Sequence, residues 1–278
     1  VSVEARSPWG ASYRLIAAEK WKAKSAAMGK DVTRAFVEYA RPEPGMKVLD
    51  LASGTGEPAI SIASQVGADG HVTAMDLSPE LLEIAESRAR ERGLTNFSVQ
   101  HADAHHLPFA DQSFDLITCR FGVMFFTDAD QALRECHRVL KPHSRACFVA
   151  AGPFDQPYWS STMAIVHRHV GGPVLAPGGP DPFRFSGPGS LSAALRGAGF
   201  ADIEERTETL PWTWPGPVEE VWEYAQAMST HFQPLLNRIP PEKRDQITRD
   251  VHAAIRKYVD GDSVKFGAVL VLASGTAR

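Results

Sequence analysis

The sequence predicts an α/β fold, a doubly wound and mostly parallel sheet. Three observations predict it. Short apolar runs alternate with helical stretches from residue 47 to residue 151. The first run ends in an aspartate and a glycine turn, "VLDLASGTGEP" (48–58), that opens a helix. A continuous apolar run, "VKFGAVLVLAS", returns near the C-terminus and reads as a strand buried on both faces.

The elements follow in order. Residues 11–40 read as helical, with Leu15, Ile16, Trp21, Val32, Phe36 and Val37 as apolar positions. "RPEPGMK" is a loop and "KVLDLA" a strand, and Glu57–Val66 is a helix. "HVTAMD" is the second strand. Pro79–Arg92 is a helix with Ser78 as N-cap, Pro79 at its first position and Gly93 beyond its end. Leu81, Ala85 and Ala89 make its apolar stripe. "FSVQHA" and "FDLITCR" are strands. Asp128–Leu140 is a helix stopped by Lys141-Pro142, and "RACFVAA" is the fifth strand. Leu191–Ala198 is a helix ending at Gly199, "FADIEERTETL" fits an edge strand, and 217–259 look helical. The predicted organisation is one domain over 1–278. It has an N-terminal helical cap (1–40), a core (41–152) and two lid insertions (153–189 and 212–260).

Composition narrows the function. The chain has 278 residues, a net charge of −4 and a pI near 6.2. That length supports a core needing neither disulfide nor metal. The mild acidity speaks against nucleic acid, which asks for a basic face. Cys119, Cys136 and Cys147 lie in apolar settings without metal-ligand spacing and read as small buried hydrophobes. No metal site is expected. A reduced, cytoplasmic setting follows, with no membrane-spanning run and no secretory signal read. Oligomeric state is open.

The glycine turn asks which ligand it holds. It lacks the lysine of a GxxxxGK[ST] phosphate loop. Gly54-x-Gly56-x-x-Ala59 matches GxGxxG/A, and Asp76 follows Gly56 by 20 residues, so a dinucleotide is a serious rival. Charge argues the other way. Asp50 and Glu57 flank a helix N-terminus that would have to carry pyrophosphate. Two carboxylates there suit a ligand with a cationic amine and no phosphate. Asp50, Asp76 and Asp103 each fall at the C-terminal end of successive strands, the rim where such sheets bind ligands. Read singly, each is an ordinary cap or turn residue.

"VLDLASGTGEP", "VTAMDLSPELLEIA", "QHADAHHLPFADQSFDLITCRFGVMFF" and "ALRECHRVLKP" resemble class I S-adenosylmethionine-dependent methyltransferases, nearest the ubiquinone/menaquinone-biosynthesis C-methyltransferase branch. The resemblance is strong over about residues 30–150. It implies a Rossmann-like sheet of about seven strands with an antiparallel C-terminal strand, and S-adenosyl-L-methionine as cofactor. It implies that Asp50 helps hold the methionine ammonium, and that Ala52, Ser53, Gly54 and Gly56 bring backbone close to the amino-acid part. Asp76 would take the ribose hydroxyls, with Met75 and Leu77 flanking the adenine. Asp103 would accept from the adenine amino group, with Ala104 at the ring edge. Arg120 and Phe121 would line the methyl-transfer cleft.

Two positions depart from the pattern. Ala52 stands for the usual first glycine, tolerable if its φ is negative. "LKPHSR" lacks the usual glycines before the fifth strand. His167 is the candidate general base, ahead of His169. His105 and His106 read as solvated loop residues and His71 as structural. Trp21, Trp159, Phe183, Arg184, Trp212 and Phe232 are candidate substrate-pocket residues, since small-molecule sites favour aromatic walls. The same aromatics would also serve simply to pack lids onto the sheet. The expected activity is methyl transfer to a small hydrophobic or aromatic acceptor at carbon or oxygen, quinone- or secondary-metabolite-like. The alternatives are a cyclase or isomerase that keeps the cofactor, and a nicotinamide-dependent oxidoreductase.

Overall fold

A computed structural model describes residues 20–278, so the expected apolar positions Leu15 and Ile16 lie outside the described residues. The strands are β1 (Lys47–Leu51), β2 (His71–Asp76), β3 (Phe97–His101), β4 (Phe114–Arg120), β5 (Leu140–Ala151), β6 (Ala201–Trp214), β7 (Val259–Asp260) and β8 (Ser263–Thr276). They form one sheet in the order β3-β2-β1-β4-β5-β8-β6, with the two-residue β7 paired to β8. β1 to β5 pair in parallel, and β8 runs antiparallel between β5 and β6. The expected sheet of about seven strands with one antiparallel C-terminal strand is therefore present.

Alternate side chains of each strand feed opposite faces. Val48, Leu116, Cys147, Val149, Leu270 and Leu272 share a core with helices α1 (Lys22–Ala40) and α2 (Ala59–Val66). Leu49, Leu51, Ile117, Phe148, Val271 and Ala273 share the other with α4 (Ala129–Val139) and α7 (Ser190–Gly197). The helix α3 (Pro79–Glu91) is capped by Ser78, whose hydroxyl accepts from Leu81 N at 3.3 Å. Its buried stripe is Leu82, Ala85 and Ala89, with Leu82 in the place expected for Leu81. All three cysteines are buried and free.

Three boundaries differ from the sequence reading. α2 begins at Ala59, with Pro58 at its N-cap, and Glu57 stays outside the helix with its carboxylate reaching forward to accept from Ser61 N at 3.3 Å. β5 begins at Leu140, and the glycine-poor "KPHSR" stretch is absorbed as a register shift against β4 between Phe114 and Leu116. β6 runs on to Trp214, which puts Trp212 and Trp214 on a strand where a lid was expected to begin.

The segments between β5 and α7 and between β6 and β8 carry α5 (Pro157–Ser161), α6 (Met163–Val170), α8 (Val218–Met228), α9 (Gln233–Leu236) and α10 (Arg244–Ile255). These helices share a core of their own, including Met163, Val166, Trp222, Phe232, Val251 and Ile255. Trp214 and Phe266 join it from β6 and β8. A helical layer thus sits beyond the C-terminal ends of the parallel strands.

Candidate active site

β1 and β4 are neighbours, yet their onward helices go to opposite faces of the sheet. That switch point opens a crevice at the strand ends, where doubly wound sheets bind ligands.

Asp50 lies at the foot of this crevice and is fully buried. Thr118 Oγ1 donates to its Oδ1 at 2.6 Å, and the Ser53 hydroxyl donates to Oδ2. Burial, opposed in part by those hydroxyls and by the charge of Arg120, pushes Asp50 up to about 7. Asp50 therefore sits beneath the rim, below Asp76 and Asp103.

The turn after β1 is tied to β2. Ser53 N donates to Met75 O at 2.9 Å, and Gly54 N to Asp76 Oδ2 at 2.9 Å. Asp76 Oδ1 accepts from Ser78 N at 3.0 Å. To reverse this sharply the chain enters the left-handed region already at Ala52, with φ +51. The condition of a negative φ, under which alanine is readily tolerated there, is not met. An alanine at such a φ costs on the order of 1 kcal/mol. Gly54 has φ +54, and a side chain added there would meet open space. At Gly56 an added Cβ would lie 2.6 Å from Ile60 Cδ1 and 3.2 Å from Ala85 Cβ, so this glycine lets α2 and α3 pack closely.

Glu57 is less available than its sequence position implies. Its Oε2 accepts from Ser61 Oγ at 2.6 Å, and Arg92 pairs with Oε1 at 3.0 Å. Its power to repel a pyrophosphate is reduced accordingly, since its charge is already met by donors.

Beyond β2, Leu77 is 43% exposed, one of two large apolar side chains so exposed among the described residues. Its carbonyl accepts from His101 Nε2 at 3.2 Å. Two residues past β3, Asp103 is exposed and Ala104 buried. Burial works against the Asp103 charge, but the backbone and ring N–H groups of His105 together outweigh it and hold Asp103 below the usual carboxylate range. Met75 is buried beneath this rim.

At the end of β4, Arg120 Nε donates to Glu57 O at 3.2 Å and Nη1 to Thr33 Oγ1 at 3.3 Å, bridging the turn to α1. Phe121 has φ +58 and meets Trp212 edge-on, ring centroids 6.3 Å apart. Phe125, one turn on, meets the ring of His231 at 5.8 Å. Burial pushes the Cys119 thiol well up, which leaves it unreactive.

The helical layer places the remaining candidates. Trp159, Phe183 and Phe232 form one aromatic cluster with Phe154 and His231. Trp21 packs separately, edge-on to Trp214 at 5.3 Å. Arg184 Nη1 donates to Phe126 O at 2.8 Å, which ties the 171–189 loop to the segment after β4. His167 Nε2 meets Gly172 O at 2.8 Å, at the C-terminus of its own helix. His169 pairs with Asp250 at 2.8 Å.

Sequence reasoning missed Thr118, His105 and His231. Thr118 had a signal, as the one hydroxyl amid the apolar "LITC". His105 and His231 had little, because the contacts that single them out, His105 to Thr127 and Asp128 and His231 to Phe125, come from distant segments. Among the described residues no group of three His, Cys, Asp or Glu side chains is placed to hold a metal, and no helix is long and apolar enough to cross a membrane.

Comparisons with known proteins agree with this architecture. The family model of the ubiE/COQ5 methyltransferases matches residues 24–167. A demethylmenaquinone methyltransferase of Listeria welshimeri is 35% identical over 134 residues, 48% of this chain and 57% of that protein. The ubiquinone/menaquinone biosynthesis C-methyltransferase UbiE of Xanthomonas oryzae is 45% identical over 114 residues, 41% of this chain and 45% of that protein. The chain thus matches about half the length of these relatives. The crystal structure of YcgJ from Bacillus subtilis superposes with a TM-score of 0.58 at 23% identity, covering 88% of this chain and 97% of that one, and shares the fold. The match from α1 through α6, over the strands that carry Asp50, Asp76 and Asp103, settles the kinship: this chain belongs to the ubiE/COQ5 methyltransferase family, whose methyl donor is S-adenosyl-L-methionine.

Proposed function

We propose that this chain binds S-adenosyl-L-methionine at the rim of β1, β2 and β3 and directs its methyl group to a small hydrophobic or aromatic acceptor, at carbon or oxygen. The observation that carries the reading is the succession Asp50, Asp76, Leu77, Asp103 around one crevice. Above the buried Asp50, which anchors the turn, it offers the carboxylates of Asp76 and Asp103 to ribose hydroxyls and to an exocyclic amine, with an exposed apolar shelf between the two. When bound, the sulfonium supplies a methyl group already activated for displacement.

The residues present fit that cofactor. Asp76, already pinned by two backbone N–H groups, is pre-organised for a pair of hydroxyls. Leu77 offers an apolar face to a flat ring. Gly54 leaves the turn open to close approach. Asp50 acts from beneath, through Ser53 and the turn it anchors. Arg120, held by Glu57 O and Thr33, closes the crevice on the α1 side.

The acceptor would enter beyond Phe121 and Phe125, under the cluster of Trp159, Phe183, His231 and Phe232. Such rings exclude water and hold a flat apolar molecule by stacking. Holding nucleophile and methyl carbon close and in line can contribute roughly 7–11 kcal/mol. Of the histidines on these segments, His231 lies against Phe125, whereas His167 engages a carbonyl of its own loop. His231 is therefore the better-placed base for a hydroxylated acceptor. The names of the curated relatives favour quinol-like molecules as the first to try.

The test is a screen of quinol, phenol and polyketide-like acceptors with methyl-labelled S-adenosylmethionine and mass detection. The reading expects label in a product heavier by one CH2. Conversion of an acceptor without transfer of label would replace it by a cyclase or isomerase.

A further inference from the structure

We infer that His105 is a positioning residue for adenine recognition: its imidazole fixes Asp103 and ties it to the segment that follows β4. The inference rests on the reading of Asp103 given above.

The hydrogen bonds decide the tautomer. The backbone N–H of Asp128 points at His105 Nε2 at 3.1 Å, and Thr127 Oγ1 lies 3.2 Å from the same atom. A backbone amide only donates, so Nε2 must present its lone pair. The ring proton of the neutral imidazole is then on Nδ1, which lies 2.5 Å from Asp103 Oδ1 and donates to it. The His105 backbone N–H donates to that same oxygen at 3.0 Å. Both donors take Oδ1, and Oδ2 receives neither.

The two side chains differ in shelter. His105 is 15% exposed and Asp103 48%. A half-exposed aspartate would ordinarily sample several rotamers, and a ligand would have to select one. His105 removes that freedom. It is itself held by Gln131 Nε2, which donates to its carbonyl at 3.3 Å, and by the edge of Phe126 at 6.1 Å. The carbonyl of Phe126 accepts from Arg184 of the 171–189 loop. The imidazole therefore joins the adenine-facing carboxylate to a strap that touches the helical layer.

The experiment is calorimetric titration of two ligands, S-adenosylhomocysteine and its 6-oxo analogue S-inosylhomocysteine. The proteins are the unmodified chain, His105→Ala, His105→Asn and Asp103→Ala. A carboxylate aimed at position 6 favours an amino group and repels a carbonyl oxygen, so the unmodified chain should prefer the adenosyl ligand by about ten-fold or more. His105→Ala should lose most of that preference, chiefly through weaker adenosyl binding. His105→Asn should keep it, because the amide N–H falls where Nδ1–H stood. Equal weakening of both ligands in His105→Ala, with the preference intact, would reduce His105 to a structural support and overturn the inference. Preference lost in Asp103→Ala but intact in His105→Ala would overturn it while leaving the adenine reading standing. Preference intact in Asp103→Ala would overturn that reading and this inference together.

Discussion

Thr118 and Asp50 are register partners across the β1–β4 pairing, and the threonine hydroxyl donates to the carboxyl at 2.6 Å. This places an ionisable group with no exposed surface at the switch point of the sheet. Two hydroxyls satisfy its hydrogen bonds but do not repay the full cost of burying its charge.

The first prediction concerns stability against pH. Asp50 has its folded-state value raised from 3.8 to about 7. The carboxyl contribution is fully present below about pH 4, where folded and unfolded chains are both protonated. It is lost as pH rises from about 4 through about 7, because the unfolded chain ionises there while the folded chain still holds the proton; above about 7 both are ionised and the loss is complete. Across that window the loss is on the order of 4 kcal/mol. Asp50→Asn, measured by urea unfolding without ligand, should be more stable than the unmodified chain at pH 8. Its advantage should vanish towards pH 4. Parallel pH profiles for the two proteins would contradict the assignment.

A second prediction follows from the left-handed Ala52. A Cβ on Gly122 would collide with Ala52 Cβ and lie 2.7 Å from Cys119 Sγ. Gly122→Ala should cost about 1–3 kcal/mol by overpacking. Adding Ala52→Gly should recover part of this, because it removes one of the two colliding groups. Simple additivity of the two changes in urea titrations would show that the positions do not share this space.

The helical layer supplies a third. His231→Ala should lower turnover of the acceptor found in the screen by about ten-fold or more, the range of a lost general base. Affinity for S-adenosylhomocysteine should stay within about two-fold of normal, because the proposed role of His231 is toward the acceptor and not the cofactor. His167→Ala removes a bond to Gly172 and should affect turnover less. Loss of turnover in His167→Ala with His231→Ala unaffected would return the base to α6.

Much of this architecture was legible in the sequence because local pattern and global fold agree. β2 and β4 span the residues read as "HVTAMD" and "FDLITCR", since each apolar run is bounded by a charged residue at the rim. β8 reads as continuously apolar because β5 and β6 flank it and both its faces are covered. The failures are of another kind. A one-dimensional pattern does not show that Glu57 finds Arg92, that Ala52 must turn left-handed to bring Ser53 to Met75, or that His105 meets Asp128. Each depends on segments that are distant in the chain and adjacent only after folding.

The central claim is that the crevice beyond β1, β2 and β3 recognises an adenosyl-sulfur nucleoside through Asp76. Calorimetric titration of S-adenosylhomocysteine into the unmodified chain and Asp76→Ala, repeated with NADH as competitor, tests it most directly. Loss of charge-assisted hydrogen bonds to two hydroxyls should weaken binding by about a hundred-fold or more. NADH should leave the unmodified chain's titration unchanged. Undiminished affinity in Asp76→Ala, or displacement of the ligand by NADH, would contradict it.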